Sequence, residues 1–441
     1  MDNAPDNAAI GARLDHMPVT RLHCVAIALC ATGFAFDLFE IALGTVLSAV
    51  FTGAPHRAAP AQIAVLLASV YVGATLGSPV FGWMADRFGR RVMLMSMLMV
   101  LALTSLAGAG SSNVGELSLW RCLAGLALGA YPPLMISYLT DILPAGRRGA
   151  LIMVTIAIGT LGPATGIFIV LALLPLQPMG VEAWRWGMAG AGTGAGLIGM
   201  LFVALPESPR WLQSRGRTAD AEAQCLRFDR SPSVLPARAP LPQDSSTVAA
   251  APASPWRSWS LLAALYFLSP WATVAFPLMT GVILTQKGFR LSDTLLYVGL
   301  SNFGPLLGTL LVALGVDRIG RRAALAICAG VMMATGWLFV SSNTPIWLIA
   351  GSFGFSLVSI LAVTLLNLYG SELFPTQSRA TALSAAWAFN RVGAACAPLL
   401  LLPLLGSTGP KAMFLVIALS LCLNVALLTI APPGRPRRSV A

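Results

Sequence analysis

Long apolar stretches alternate with short polar connections along nearly the whole chain. Apolar runs occupy residues of about 21–51, 60–85, 92–109, 115–140, 149–174 and 184–205, then about 258–285, 292–315, 323–341, 345–369, 381–403 and 411–430. Most are about 20 residues or longer, enough for an α-helix to cross a bilayer's hydrocarbon core. A segment in lipid must satisfy its own backbone hydrogen bonds, so each run predicts a transmembrane helix. The expected fold is an all-α membrane protein of twelve spans in two pseudo-symmetric six-helix bundles. The interval 206–256 is rich in Pro, Arg, Ser and Ala and has no sustained apolar period. It reads as a linker between an N-terminal bundle (1–205) and a C-terminal bundle (257–441). Residues 1 to about 20 read as a flexible tail without the pattern of a cleavable signal peptide, and 432–438 as a basic, non-helical tail.

Composition agrees with the pattern. Of 441 residues, 56% are hydrophobic and only 10% charged, with a mean hydropathy of +0.77. The net charge of +11 does not point to nucleic acid, because the basic residues sit in short connections, where they orient a membrane protein. With the N-terminus inside, the inner segments hold Arg87, Arg90, Arg91, Arg147, Arg148, Arg318, Arg321, Arg322, Arg379 and the tail arginines. The outer ones hold Arg57, Arg185, Lys287, Arg290 and Lys411. This asymmetry predicts cytoplasmic termini and an even number of spans; the expected location is the cytoplasmic membrane of a bacterium. The seven cysteines show no metal spacing, and the three histidines (His16, His23, His56) form no nucleophile–base or metal cluster. No enzyme activity, metal or cofactor is expected.

The stretch Gly82-Trp83-Met84-Ala85-Asp86-Arg87-Phe88-Gly89-Arg90-Arg91 joins the second and third runs, and Val316-Asp317-Arg318-Ile319-Gly320-Arg321-Arg322 joins the eighth and ninth. The same offset of about 231 residues aligns Tyr138 with Tyr369, Asp141 with Glu372, Pro144 with Pro375, Arg148 with Arg379 and Gly162 with Gly393. The two halves are therefore homologous, although Ala313 stands where the first copy has Gly82. The paired loops resemble the signature loop of the major facilitator superfamily. That resemblance implies secondary transport by alternating access. It also implies that Asp86, Arg87, Arg90, Arg91, Asp141, Arg148, Asp317, Arg321, Arg322, Glu372 and Arg379 form a gate on the inner side, with Asp86 pairing Arg90 and Asp141 pairing Arg148. Pro206-Glu207-Ser208-Pro209-Arg210 resembles a sugar-porter motif shared with aromatic acid and organic ion carriers, its expected partner being Glu372-Leu373-Phe374-Pro375. Gly159 to Gly166 is partly similar to an antiporter motif, or is a proline kink.

Asp37 and Glu40 lie three apart, on one helical face, near the middle of the first run. A charge at that depth costs a few kcal/mol, which makes both candidates for proton coupling or for structural bonding to a neighbouring helix. The stretch resembles the acidic motif of the aromatic acid:proton symporters, departing from it at Ala35 and in having Glu at position 40. Arg121 resembles the superfamily's fourth-helix arginine, which implies a part in proton transfer, the alternative being an arginine that snorkels to the membrane face. Arg391, about three turns inside the eleventh run, is too deep to snorkel and needs an anion. Arg391-Val392-Gly393 resembles the arginine motif of organic anion carriers, which assigns Arg391 to a substrate carboxylate, the alternative being an internal ion pair. Asn390, Trp387, Tyr131, Trp271, Asn302 and Asn367 are candidates to line the same cavity. The expected function is proton-coupled symport of a small organic anion, an aromatic or related monocarboxylate, by a monomer in the lipid bilayer. A sugar, polyol or other metabolite:proton symporter is the alternative. The spans are poor in the Gln and Asn a sugar would need, and the tails are too short for a signalling domain.

Overall fold

The computed structural model describes residues 4–236, 255–315, 320–373 and 376–430, without the side chains of 4–9, 255, 312–315, 371–372 and 376–385. Asp317 and the side chains of Glu372 and Arg379 therefore lie outside the described residues. Twelve helices long and apolar enough to cross a membrane run through them. The first six are Arg21–Thr52, Pro60–Phe88, Arg90–Ala109, Val114–Ile142, Arg148–Leu173 and Ala183–Ala204. The second six are Trp256–Gln286, Leu291–Leu311, Arg321–Ser341, Pro345–Gly370, Ala386–Thr408 and Pro410–Ile430. They form two pseudo-symmetric bundles.

Four spans are broken near their middles. The fourth divides into Val114–Leu128 and Tyr131–Ile142, just before Pro132 and Pro133. The fifth divides at Thr160, ahead of Pro163. The seventh divides at Val274, between Pro270 and Pro277, and the eighth at Asn302, ahead of Pro305. Proline lacks the amide hydrogen and crowds the preceding turn, so the helix yields there.

Glycine seams bring the spans into backbone contact. Between spans two and four, a Cβ on Gly73 would lie 1.9 Å from the Cys122 carbonyl oxygen, and one on Gly125 2.1 Å from that of Val70. Between spans one and five, a Cβ on Gly162 would lie 2.1 Å from the Ala35 carbonyl oxygen, while Gly159 and Gly166 face Phe34 and Phe39. Only the smallest residue permits this approach, which in lipid replaces the hydrophobic effect as the source of helix association. The Gly159–Gly166 stretch is thus the surface on which the acidic helix rests. The two bundles meet along several pairs of spans, among them two with eleven and five with eight, and closely towards the face away from the N-terminus. There Thr45 donates to the Pro277 carbonyl at 3.4 Å, Phe168 packs on Phe303 with ring centres 6.1 Å apart, and Pro60 lies against Gly406.

The N-terminal face departs from expectation. The tail expected to be flexible is helical over Ala4–His16, and Val19–Thr20 pairs antiparallel with Ser233–Leu235. The start of the expected linker folds as two short helices, Pro209–Ser214 and Thr218–Asp229. Ile10, Leu14 and Met17 bury against Ala221, Cys225 and Phe228. Arg13 pairs with Glu222 and Asp229, and Asp15 accepts from Arg148 and Arg210 at 2.6 Å each. Neither segment has the apolar length of a span, but each has a one-sided stripe that the other helps to cover, with Phe228 also stacked on His23 of the first span.

The Gly162 contact makes a direct test. Gly162→Ala should destabilise the detergent-solubilised protein by about 1–3 kcal/mol, seen as a lower unfolding midpoint. Gly190→Ala, where nothing lies within 4 Å of the new Cβ, should leave the midpoint unchanged.

Candidate functional site

The loop between spans two and three is held by groups distant in sequence. Gly89 adopts φ +109, a left-handed conformation that favours glycine. A Cβ there would also meet Glu207 Oε2 at 2.5 Å. The Glu207 carboxylate accepts the backbone N–H groups of Arg90 and Arg91 at 3.0 Å and of Val92 at 3.4 Å. It caps the positive end of the third helix. The Asp86 carbonyl accepts from Trp211 Nε1 at 2.8 Å and from the Arg215 guanidinium. Arg87 lies over the Trp83 ring at 5.6 Å, and Arg91 donates to the Leu205 carbonyl at 2.9 Å.

The charge pairing differs from the expected one. Asp141 pairs with Arg90 and accepts from the Ser208 hydroxyl. Arg148 turns instead to Asp15 and to the Leu143 carbonyl. Asp86 acts on Arg90 electrostatically without forming an ion pair. The reason is local: the capped turn at Gly89 aims Arg90 along the fourth helix towards Asp141, and the N-terminal helix brings a nearer acid to Arg148. Arg321 and Arg322 open the ninth span at the corresponding place in the second half.

In the membrane interior, Glu40 and Arg121 are 0% and 1% exposed. Arg121 Nη1 donates to Glu40 Oε1 and to the Glu40 carbonyl at 3.1 Å, and Nη2 donates to the same carbonyl at 3.2 Å. The Ser105 hydroxyl supplies the second carboxylate oxygen at 2.9 Å. Both oxygens of Glu40 are therefore matched, as a buried charge requires. Asp37 differs. It is 1% exposed, and neither of its oxygens has a hydrogen-bond partner among the described residues. Its electrostatic neighbours are Arg391 and Glu40. Arg391 belongs to the opposite bundle and forms no direct ion pair with Asp37 among the described residues; Tyr71 stands in the field of both Arg391 and Arg121.

Around Arg391 the second bundle builds an aromatic wall. The guanidinium lies over the Trp387 ring at 5.4 Å, and Trp387 meets Tyr266 edge to face at 5.5 Å. The Tyr266 hydroxyl donates to Asn367 Oδ1, and Asn390 Nδ2 donates to the Tyr266 carbonyl at 3.4 Å. Arg391, Trp387, Asn390 and Asn367 are thus gathered about Tyr266. Trp271 is further along the seventh span, its Nε1 buried without a hydrogen-bond partner among the described residues. Tyr131 and Asn302 are not part of this group. Tyr131 packs on Gly33 and donates to the Cys30 carbonyl at 3.4 Å, and Asn302 donates to its own helix at Val298. Ser105, Asp15 and Glu207 hold charged or capped groups in place, and Tyr266 orders the amides and the indole beside Arg391; no motif in the sequence marks these roles. A hydroxyl inside an apolar run carries no periodic signal of what it faces.

Two helix bundles with ionisable residues buried at their midpoints define a secondary transporter. The chain belongs to the Major Facilitator Superfamily, whose profile matches residues 25–398 and 296–441; such proteins are transporters rather than enzymes. Among curated proteins it is 29% identical over 394 residues to the putative metabolite transport protein YyaJ of Bacillus subtilis, covering 86% of this chain and 85% of that one. It is 23% identical to the niacin transporter NiaP of Acinetobacter baylyi, covering 95% and 96%. It is 26% identical to a gallate transporter of Pseudomonas putida, covering 86% and 85%. Among solved structures, the partially occluded, inward-open xylose transporter XylE of E. coli superposes with a TM-score of 0.70 at 19% identity, covering 96% of this chain and 100% of that one. That likeness is one of fold.

The matched pair gives a stability prediction. Arg121→Met strands a buried Glu40 and should cost about 3–5 kcal/mol. Adding Glu40→Leu should recover most of it, as read by thermal unfolding of the two variants beside the wild type.

Proposed function

We propose that the protein carries a small organic anion, an aromatic or related monocarboxylate, together with protons across a bacterial cytoplasmic membrane. It acts as a monomer with both termini in the cytoplasm. The observation that carries this reading is the unmatched Asp37 facing Arg391 across the bundle interface. While Asp37 is ionised, its charge competes for the guanidinium. When Asp37 takes a proton, that competitor is gone, and Arg391 can grip a substrate carboxylate through two parallel hydrogen bonds. Proton and anion then enter as a net neutral pair, which lowers the cost of carrying charge through the apolar interior as the bundles rock. After release of both on the other side, Asp37 and Arg391 attract again. Glu40, held by Arg121 and Ser105, fixes the helix that carries Asp37 and makes the field around it. Arg121 belongs to the proton-coupling group in this sense.

The ligand class is supported by the Trp387–Tyr266 wall beside Arg391, since an aromatic ring stacks on such a surface. Two relatives named for niacin and gallate agree with it, both of these being aromatic acids. The charged loops at Asp86–Arg91 and Asp317–Arg322, with Asp141, Arg148, Glu372 and Arg379, form the gate on the face that carries the termini. The network among Arg90, Asp141, Ser208 and Glu207 would be remade as that face opens and closes. A sugar cargo has one point in its favour: the chain is 29% identical to the arabinose-proton symporter of Bacillus subtilis, over 47% of its length.

Proteoliposome uptake decides between these. With an inward proton gradient, benzoate or nicotinate should accumulate while arabinose and xylose do not. Arg391→Ala should reduce carboxylate uptake about tenfold or more with expression intact. Asp37→Asn should retain downhill exchange of the acid but lose accumulation driven by the gradient. Unchanged kinetics in Arg391→Ala, or full accumulation by Asp37→Asn, would overturn the assignment.

A further inference from the structure

The Tyr266 side chain is buried, and its hydroxyl spends its one hydrogen on Asn367 Oδ1. That bond decides which way the Asn367 amide faces. With its oxygen held, the amide presents its N–H groups, which have no partner among the described residues. Asn367 itself is half-buried. The Trp387 indole meets Tyr266 edge to face and lies beneath the Arg391 guanidinium. The Arg391 cation and the Asn367 amide are thus linked through an aromatic layer made of Trp387 and Tyr266. An acid whose ring lies along that layer would bring its carboxylate to Arg391 and the opposite edge of its ring to Asn367.

We propose that Tyr266 is a positioning residue that aims Asn367 at the cargo, so that the site prefers an aromatic acid bearing a hydrogen-bond acceptor on the ring away from its carboxylate. The inference rests on the carboxylate reading of Arg391 and extends it to the other end of the ligand. An acid without the acceptor leaves the amide N–H groups unmatched in a place partly closed to water, and that asymmetry is the source of selectivity. Tyr266→Phe removes the hydroxyl and keeps the ring on Trp387. The freed amide can then turn, and the preference is lost without loss of the aromatic wall.

The test is equilibrium binding of benzoate and isonicotinate, whose ring nitrogen accepts a hydrogen bond and donates none, to the full-length protein in lipid nanodiscs at neutral pH. The wild type should bind isonicotinate about tenfold more tightly than benzoate, the effect of one well-placed hydrogen bond. Tyr266→Phe should reduce that ratio to about twofold or less while benzoate affinity stays within about twofold of wild type. Asn367→Ala should abolish the same preference and decides the matter alone if Tyr266→Phe is not recovered folded. Equal affinities in the wild type, or a preference that survives in Asn367→Ala, would overturn the inference while leaving Arg391 with its carboxylate. Failure of the wild type to bind either acid would remove the carboxylate reading and this inference together.

Discussion

A carboxylate inside an apolar helix bundle has to be matched by donors, paired with a cation, or uncharged. The first span carries two carboxylates a single helical turn apart, and they meet this constraint differently. Glu40 has a guanidinium on one oxygen and a hydroxyl on the other. Asp37 has no hydrogen-bond partner among the described residues; it stands in the fields of Arg391 on the other bundle and of Glu40 on its own helix. One acid is therefore a fixed part of the scaffold. The other is left with a choice of states, which is the physical requirement for coupling a proton to a conformational change.

The packing around these acids explains why the difference persists. The glycine seam at Gly159, Gly162 and Gly166 lets the fifth span press directly on Phe34, Ala35 and Phe39, so the acidic turn cannot drift towards new partners. The seam between spans two and four holds Arg121 and Tyr71 at the same level. At the N-terminal face, Glu207 caps the third helix and Asp15 ties the N-terminal helix to Arg148 and Arg210. These contacts tie the spans of the first bundle to one another. Towards the opposite face Thr45 meets Pro277 and Phe168 meets Phe303 across the two bundles.

Most of the architecture was legible because a membrane helix announces itself by length and hydropathy alone. The repeated charged loops divided the chain in two, and the depth of Asp37 and Arg391 followed from counting turns within their runs. What stayed hidden depends on which face meets which neighbour. In a span apolar on all sides no period marks the contact surface, so nothing in sequence tied Ser105 to Glu40 or Tyr266 to Asn367. The misjudged pairing of Asp141 and Arg148 has a similar cause. Sequence proximity suggested Arg148 as the partner, whereas the Gly89 turn delivers Arg90 and the folded N-terminal segment delivers Asp15. That segment reads as a flexible tail in sequence because its apolar stripe is short and its cover lies more than 200 residues away, as with Arg13 and Asp229 at a separation of 216.

If release of Arg391 by protonation of Asp37 is the coupling step, then anion binding and proton uptake are one event. Calorimetric titration of the purified protein with a carboxylate ligand, repeated in buffers of different ionisation enthalpy, counts the protons taken up on binding. The account predicts uptake of about one proton per anion, affinity that rises as pH falls, and loss of both effects in Asp37→Asn. Anion binding without proton uptake, at an affinity independent of pH, would contradict it.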